Sequence, residues 1–180
     1  MTISTLQIHD TDTVMRVASL LHLGFAGISP AWPDLTSAHA EVLAHSTASN
    51  ISLVATIDQS VIGWVAANPQ YHGHAWELHP LVVAPAYRRR GVARTLVEQL
   101  IFQLRGRGAS TVFVWCDDEI GSTSLAHTTL YPEPIHYTAH FHASPPHASL
   151  FYCSVGFALC GVLPDANGIG KPDILFARRV

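Results

Sequence analysis

The sequence predicts a mixed α/β (α+β) domain, and three observations carry that prediction. Residues 51–57 and 61–67 are apolar runs of strand length separated by Asp58-Gln59-Ser60, the pattern of an antiparallel hairpin. Residues 75–83, 91–105 and 111–115 then read strand, helix, strand, an order that brings the chain back as a parallel pair through a crossover. The 180 residues are 48% hydrophobic and only 13% charged, with no repeat period, so one domain has enough apolar surface to bury a core without disulfides.

Each element has a local cause. Residues 2–8 alternate and predict a first strand. Asp10 or Thr11 caps a helix to about Leu23, with Val14, Val17, Ala18 and Leu21 on one face. Gly27 to Pro33 reads as a loop and residues 35–46 as a short helix. The hairpin follows, then a loop with Tyr71, His72 and His74, and the strand 75–83. In 91–105, Val92, Leu96, Val97, Leu100, Ile101 and Leu104 recur at helical spacing, and Gly106 and Gly108 end the helix. The unbroken apolar run 111–115 predicts a strand covered on both faces. Between Ile120 and Pro164 the only formal charge is Glu133, while His127, His136, His140, His142 and His147 all fall there; this aperiodic stretch reads as a functional loop. Phe151, Tyr152 and Val155 suit a short helix ending at Gly156, and 157–163 and 174–180 suit two last strands. The whole reads as one domain over residues 1–180.

Composition narrows the function. A formal charge of −3, from 10 Lys and Arg against 13 Asp and Glu, argues against a nucleic-acid-binding surface. No apolar stretch reaches membrane-spanning length, and the first residues lack the basic start and apolar run of a signal peptide, so a cytoplasmic protein is expected. Cys116, Cys153 and Cys160 form no C-x-x-C pair and predict buried thiols in a reducing compartment.

The chemistry concentrates in 81–93. A strand ends at Val83, three arginines follow, and a helix starts at Gly91. The first turn of a helix presents unpaired N–H groups and partial positive charge, and Gly91 and Ala93 let an anion approach them closely. Two readings fit: an anion site suited to a pyrophosphate, or a plain helix start behind a solvated basic turn. It is neither a G-x-G-x-x-G fingerprint nor a Walker loop.

Arg88-x-x-Gly91-x-Ala93 after Leu81-x-Val83 resembles the acetyl-coenzyme A signature of the GNAT N-acetyltransferase superfamily, and the element order matches that fold over nearly the whole chain. Trp76-Glu77-Leu78-His79-Pro80-Leu81-Val82-Val83, Asp117-Asp118, Leu130-Tyr131, Phe151-Tyr152, residues 161–168 and Lys171-Pro172-Asp173-Ile174 are similar to blocks of the aminoglycoside 6'-N-acetyltransferases. The resemblance implies a mixed, mostly antiparallel sheet with a central parallel pair. It also implies acetyl-coenzyme A as donor, direct attack by an aminoglycoside 6'-amine through a tetrahedral intermediate, and a homodimer. By the same resemblance, Leu81, Val82 and Val83, the turn Arg88, Arg89, Arg90, Gly91, Val92, Ala93 and Arg94, and Tyr152 contact the coenzyme.

Four residues are candidates for catalysis. Glu77 takes the role of base, the alternative being a strand carboxylate facing solvent. His79, two residues on, shares its face and either orients Glu77, binds the acceptor or is structural. Pro80 lacks an N–H, so the ladder breaks there, and the resemblance gives the backbone N–H of Leu81 to the thioester oxygen. Tyr152 is either the proton donor to the departing thiolate or a packing residue. For a polycationic acceptor, Asp117 and Asp118 supply carboxylates after a strand end, and Trp32 and Tyr71 either stack on sugar rings or pack. Other classes compete: His72-x-His74 and His136-x3-His140-x-His142 have spacings seen in metal modules, and a GNAT enzyme can act on another small amine. The base, proton donor and oxyanion donor need no metal, and none is expected.

Overall fold

A computed structural model describes residues 1–27 and 29–180, so the expected loop at Gly27 to Pro33 lies outside the described residues at position 28. The chain forms two compact units, Met1–Ser110 with Val180, and Thr111–Arg179.

In the first unit, β1 (Thr2–Thr5), β2 (Ile51–Ile57), β3 (Ser60–Gln70) and β4 (Ala75–Val83) pair antiparallel in that order. The expected first strand stops at Thr5. The hairpin is tighter than expected. Ser60 already pairs with Ile57, so only Asp58 and Gln59 make the turn, both at positive φ (47° and 63°), the left-handed geometry that matches strand twist in two-residue hairpins. Helix α1 (Thr11–Phe25) is capped by Asp10, whose side chain accepts from the Thr13 N–H at 3.1 Å. Helix α2 (Leu35–His45) begins with a capping box between Asp34 and Ser37. Helix α3 (Val92–Gly106) starts one residue after the predicted position, with Gly91 as its cap.

The helices divide between the faces of this sheet. Val14, Val17, Ala18 and Leu21 of α1 and Ala38 and Val42 of α2 form one buried cluster with Val54, Trp64, Ala66 and Val82. On the opposite face, a Cβ built on Gly63 would meet Leu96 and Val92 of α3 at 3.0 and 3.1 Å; the missing side chain lets the helix lie close. All six apolar residues predicted for the inner face of α3 are buried.

In the second unit, β5 (Thr111–Asp117) and β6 (Ala158–Leu163) both pair antiparallel with β7 (Asp173–Arg179). The prediction that 111–115 is covered on both faces is corrected. Val112, Val114 and Cys116 are buried, but Phe113 is half-buried and Trp115 exposed. One face is packed: Val114 and Cys116 lie opposite Phe176 and Ile174, and Phe141 meets Phe176 edge-on at 5.7 Å. The long stretch before β6 is thus a cover for this face, not only a loop. It carries two short helices, α4 (Pro134–Thr138), which was not expected, and α5 (Ser149–Ser154). The expectation of buried thiols holds for Cys116 alone; Cys153 on α5 and Cys160 on β6 are exposed. No helix among the described residues is long and apolar enough to cross a membrane.

Candidate active site

In the first unit, the candidate residues Glu77, His79 and Leu81 lie on β4. Trp76, Leu78 and Pro80 are buried, whereas Glu77 is half-buried and His79 exposed, so Glu77 and His79 share a face as the alternation required. That face is the one covered by α1 and α2, because Glu77 pairs with Asn68 and Trp64 and Ala66, at the same phase of β3, join their cluster. The register of β3 and β4 shifts between Val65 and Ala67, opposite His79 and Pro80. A bulge therefore interrupts the ladder where proline withholds its donor, and it reverses the phase: Val82 returns to the α1/α2 face. Leu81 is the first residue after the break.

The groups around Glu77 and His79 are specific. Asn68 Nδ2 lies 3.5 Å from Glu77 Oε2, and Asn68 Oδ1 is buried with no hydrogen-bond partner among the described residues. His79 Nε2 lies 3.3 Å from Glu41 Oε1, and His45 Nδ1 lies 3.2 Å from the same oxygen. The hydrogen bond from His79 is the main influence holding the Glu41 carboxyl below the usual range; burial opposes it, and His45 and the Trp32 side chain reinforce it. Trp32 is not a free stacking platform. It is buried, packs edge-on against Phe25 at 4.8 Å, and stands 5.8 Å from the His79 ring. Tyr71 is 76% exposed at the β3–β4 turn, where it and His72 both take positive φ.

The basic turn leads into α3. Gly91 has φ 86°, and among the described residues no side chain caps the helix and nothing lies within 4 Å of a Cβ built at Gly91. The first-turn N–H groups of Val92, Ala93 and Arg94 therefore begin a helix whose cap supplies no side-chain acceptor. Of the three arginines, Arg88 is tethered: Nε donates to the Val83 carbonyl at 3.1 Å and Nη2 to the Gly24 carbonyl at 3.2 Å. It fastens β4 to the end of α1. Arg90 lies over the Tyr87 ring, and Arg89 is exposed.

The second unit holds Asp117, Asp118 and Tyr152. Asp117 is exposed at the end of β5 and accepts from Asn167 Nδ2 at 2.8 Å. Asp118 corrects the expectation of an acceptor-facing carboxylate. It is 1% exposed, and its oxygens accept from the N–H and hydroxyl of both Ser122 and Thr123 at 2.7–3.2 Å. Burial pushes its carboxyl up, but these hydrogen bonds and the nearby His147 leave it below the ordinary value. Asp118 thus shapes the turn after β5. Glu119 is engaged with Lys171 at 2.9 Å. Tyr152 is buried on α5 between the rings of Phe151 and Phe157, and burial raises its hydroxyl well above the ordinary value, so it stays protonated. Among the described residues no three His, Cys, Asp or Glu side chains converge as metal ligands.

The profile described as the acetyltransferase (GNAT) family matches residues 17–127, a span that includes β4, the basic turn and α3. The chain belongs to the GNAT acetyltransferase family. Solved structures agree over the full length. An aminoglycoside 6'-N-acetyltransferase complexed with coenzyme A is 31% identical with TM-score 0.91, and the one from Enterococcus faecium is 31% identical with TM-score 0.90. An aminoglycoside 6'-acetyltransferase type Ii is 28% identical with TM-score 0.78; in all three the match covers 99% of this chain and 97% of the other. No curated protein sequence matches. The predicted mixed α/β (α+β) GNAT fold is borne out.

One side chain beside His79, Glu41, was not singled out from the sequence. Glu41 sits with Ala38, Val42 and His45 at i, i+3, i+4 and i+7 spacing on the inward stripe of α2. A carboxylate and an imidazole at i, i+4 spacing on a stripe shared with Ala38 and Val42 were the available signal.

Proposed function

We propose that this acetyltransferase moves an acetyl group from acetyl-coenzyme A to the 6'-amine of an aminoglycoside. The observation that carries the reading is the bulged end of β4, where Glu77 and His79 share a face immediately before Leu81. The 31% identity to aminoglycoside 6'-N-acetyltransferases over 99% of the chain supports the acceptor class.

The residues present fit the donor. An uncapped, positively polarised helix start behind Gly91 suits a diphosphate, with Val92, Ala93 and Arg94 offering N–H groups and Arg89 and Arg90 adding charge. Arg88 contributes by holding the turn, and Val82 and Val83 lead the strand into it. When bound, the coenzyme supplies an activated acetyl thioester. Glu77 takes a proton from the acceptor ammonium, directly or through water, so that the amine attacks as a free base. By the resemblance, the Leu81 N–H after the bulge is the donor that stabilises charge on the carbonyl oxygen. Tyr152 is the candidate donor to the departing thiolate by the resemblance alone; burial raises its hydroxyl, which makes it a weaker acid than a free phenol. Asp117 and the exposed Tyr71 offer the acceptor a carboxylate and a ring. The resemblance to this enzyme class also supports a homodimer acting in the cytoplasm.

The test is thiol release in the presence of kanamycin-type compounds that carry or lack the 6'-amine. Release only with the 6'-amine is expected. Equal release with both, or turnover only with unrelated amines, rejects the acceptor assignment.

A further inference from the structure

We propose that Glu41 is a positioning residue that acts through His79. The inference rests on the reading of β4 as the reacting edge, and it adds a residue from a different element. Glu41 Oε1 receives two imidazoles, His45 Nδ1 at 3.2 Å from its own helix and His79 Nε2 at 3.3 Å from β4. The His45 nitrogen also lies 3.1 Å from the Glu41 carbonyl, which ties that ring to α2. The His79 ring stands 5.6 Å from the His45 ring and 5.8 Å from Trp32. Trp32 is buried, so His79 is bounded on one side by a fixed wall and held by a carboxylate at its Nε2.

This arrangement has a chemical consequence. Glu41 is only partly exposed, so a hydrogen bond to its ionised carboxylate is stronger than one at the open surface. With Nε2 engaged by Glu41, the other ring nitrogen, Nδ1, has no partner among the described residues and can meet an acceptor or a water next to Glu77. Glu41 thereby selects which face of His79 is presented. The groups that meet Glu41 are His45, His79 and Trp32, and those that meet His79 are Glu41, His45 and Trp32.

The experiment compares the full chain with Glu41→Gln, His79→Asn and the double variant, with Glu41→Ala as a second probe of the contact. In the resting protein, the 15N resonance of His79 Nε2 is expected to move in Glu41→Gln and further in Glu41→Ala. With an aminoglycoside acceptor, Glu41→Gln is expected to lower kcat by about tenfold, the factor of one charge-assisted hydrogen bond, with KM for acetyl-coenzyme A unchanged. In the His79→Asn background the same substitution is expected to change kcat by less than about twofold, because the path through the ring is already gone. An unmoved His79 resonance, or losses that multiply in the double variant, overturns the proposal. The resonance needs no acceptor, so failure of the aminoglycoside reading leaves the Glu41–His79 contact separately tested.

Discussion

Neighbouring polar residues in this chain differ in how far they are exposed and in how many donors hold them, and the sequence does not distinguish them. Asp117 and Asp118 are adjacent carboxylates. Alternation along the strand sends the first outward and the second into a turn, where four donors satisfy it. Glu77 and His79 sit two apart and share a face, and this could be read without a structure. Glu77→Gln keeps the shape of the side chain and removes its basicity. It is expected to lower kcat by about 10²- to 10⁴-fold while acetyl-coenzyme A binds with unchanged affinity. Steady-state rates across a pH series with calorimetric titration of the coenzyme check this, and an unaltered rate rejects Glu77 as the base.

At the scale of elements, the start of α3 shows how a cap leaves the N-terminus of a helix open. Gly91 at φ 86° lets the chain turn into the helix without a side chain over the first N–H groups. Gly91→Ala adds backbone strain of about 1–2 kcal/mol but meets no neighbouring atom. Gly91→Glu adds the same strain and a carboxylate beside the proposed phosphate position. Coenzyme affinity is expected to fall at least about tenfold further for Glu than for Ala, as expected from charge repulsion at a helix N-terminus. Calorimetry on both variants measures the difference, and equal affinities remove the anion site from this turn. The elements themselves were largely legible. The apolar stripes of α1 and α3 named the buried residues because the 3.6-residue period is a local property. The segment before β6 was not legible, because α4 is only five residues long and its role as a cover depends on Phe141 meeting a distant strand.

For the whole molecule, the buried titratable groups set how stability depends on pH, in both units. The Glu41 and Asp118 carboxyls are held below their unfolded values, so their contribution is present above about pH 4 and is lost as pH falls through their folded values. His147 adds a second window. Burial is the main cause of its lowered value, with Asp118 and Asp117 opposing, so the folded chain prefers the neutral ring. The unfolded chain binds that proton first, and stability declines as pH falls below about 6.5. Urea midpoints at pH 7.5 and 5.5 are expected to differ, and His147→Gln to narrow the difference. A gap of the same size in the variant shows that the ring does not carry this dependence.

The sequence by itself determined the order of the strands and of α1, α2 and α3, the GNAT class and the positions of Glu77, His79 and Gly91, because periodicity, capping and a contiguous motif are short-range properties of the chain. Only the tertiary structure decided that Arg88 is a tether, that Asp118 is internal, that Trp32 is a wall, and that Glu41 reaches His79 on β4 from α2. Those outcomes depend on which atoms distant segments bring within hydrogen-bonding reach, and that is fixed by packing rather than by neighbours along the chain.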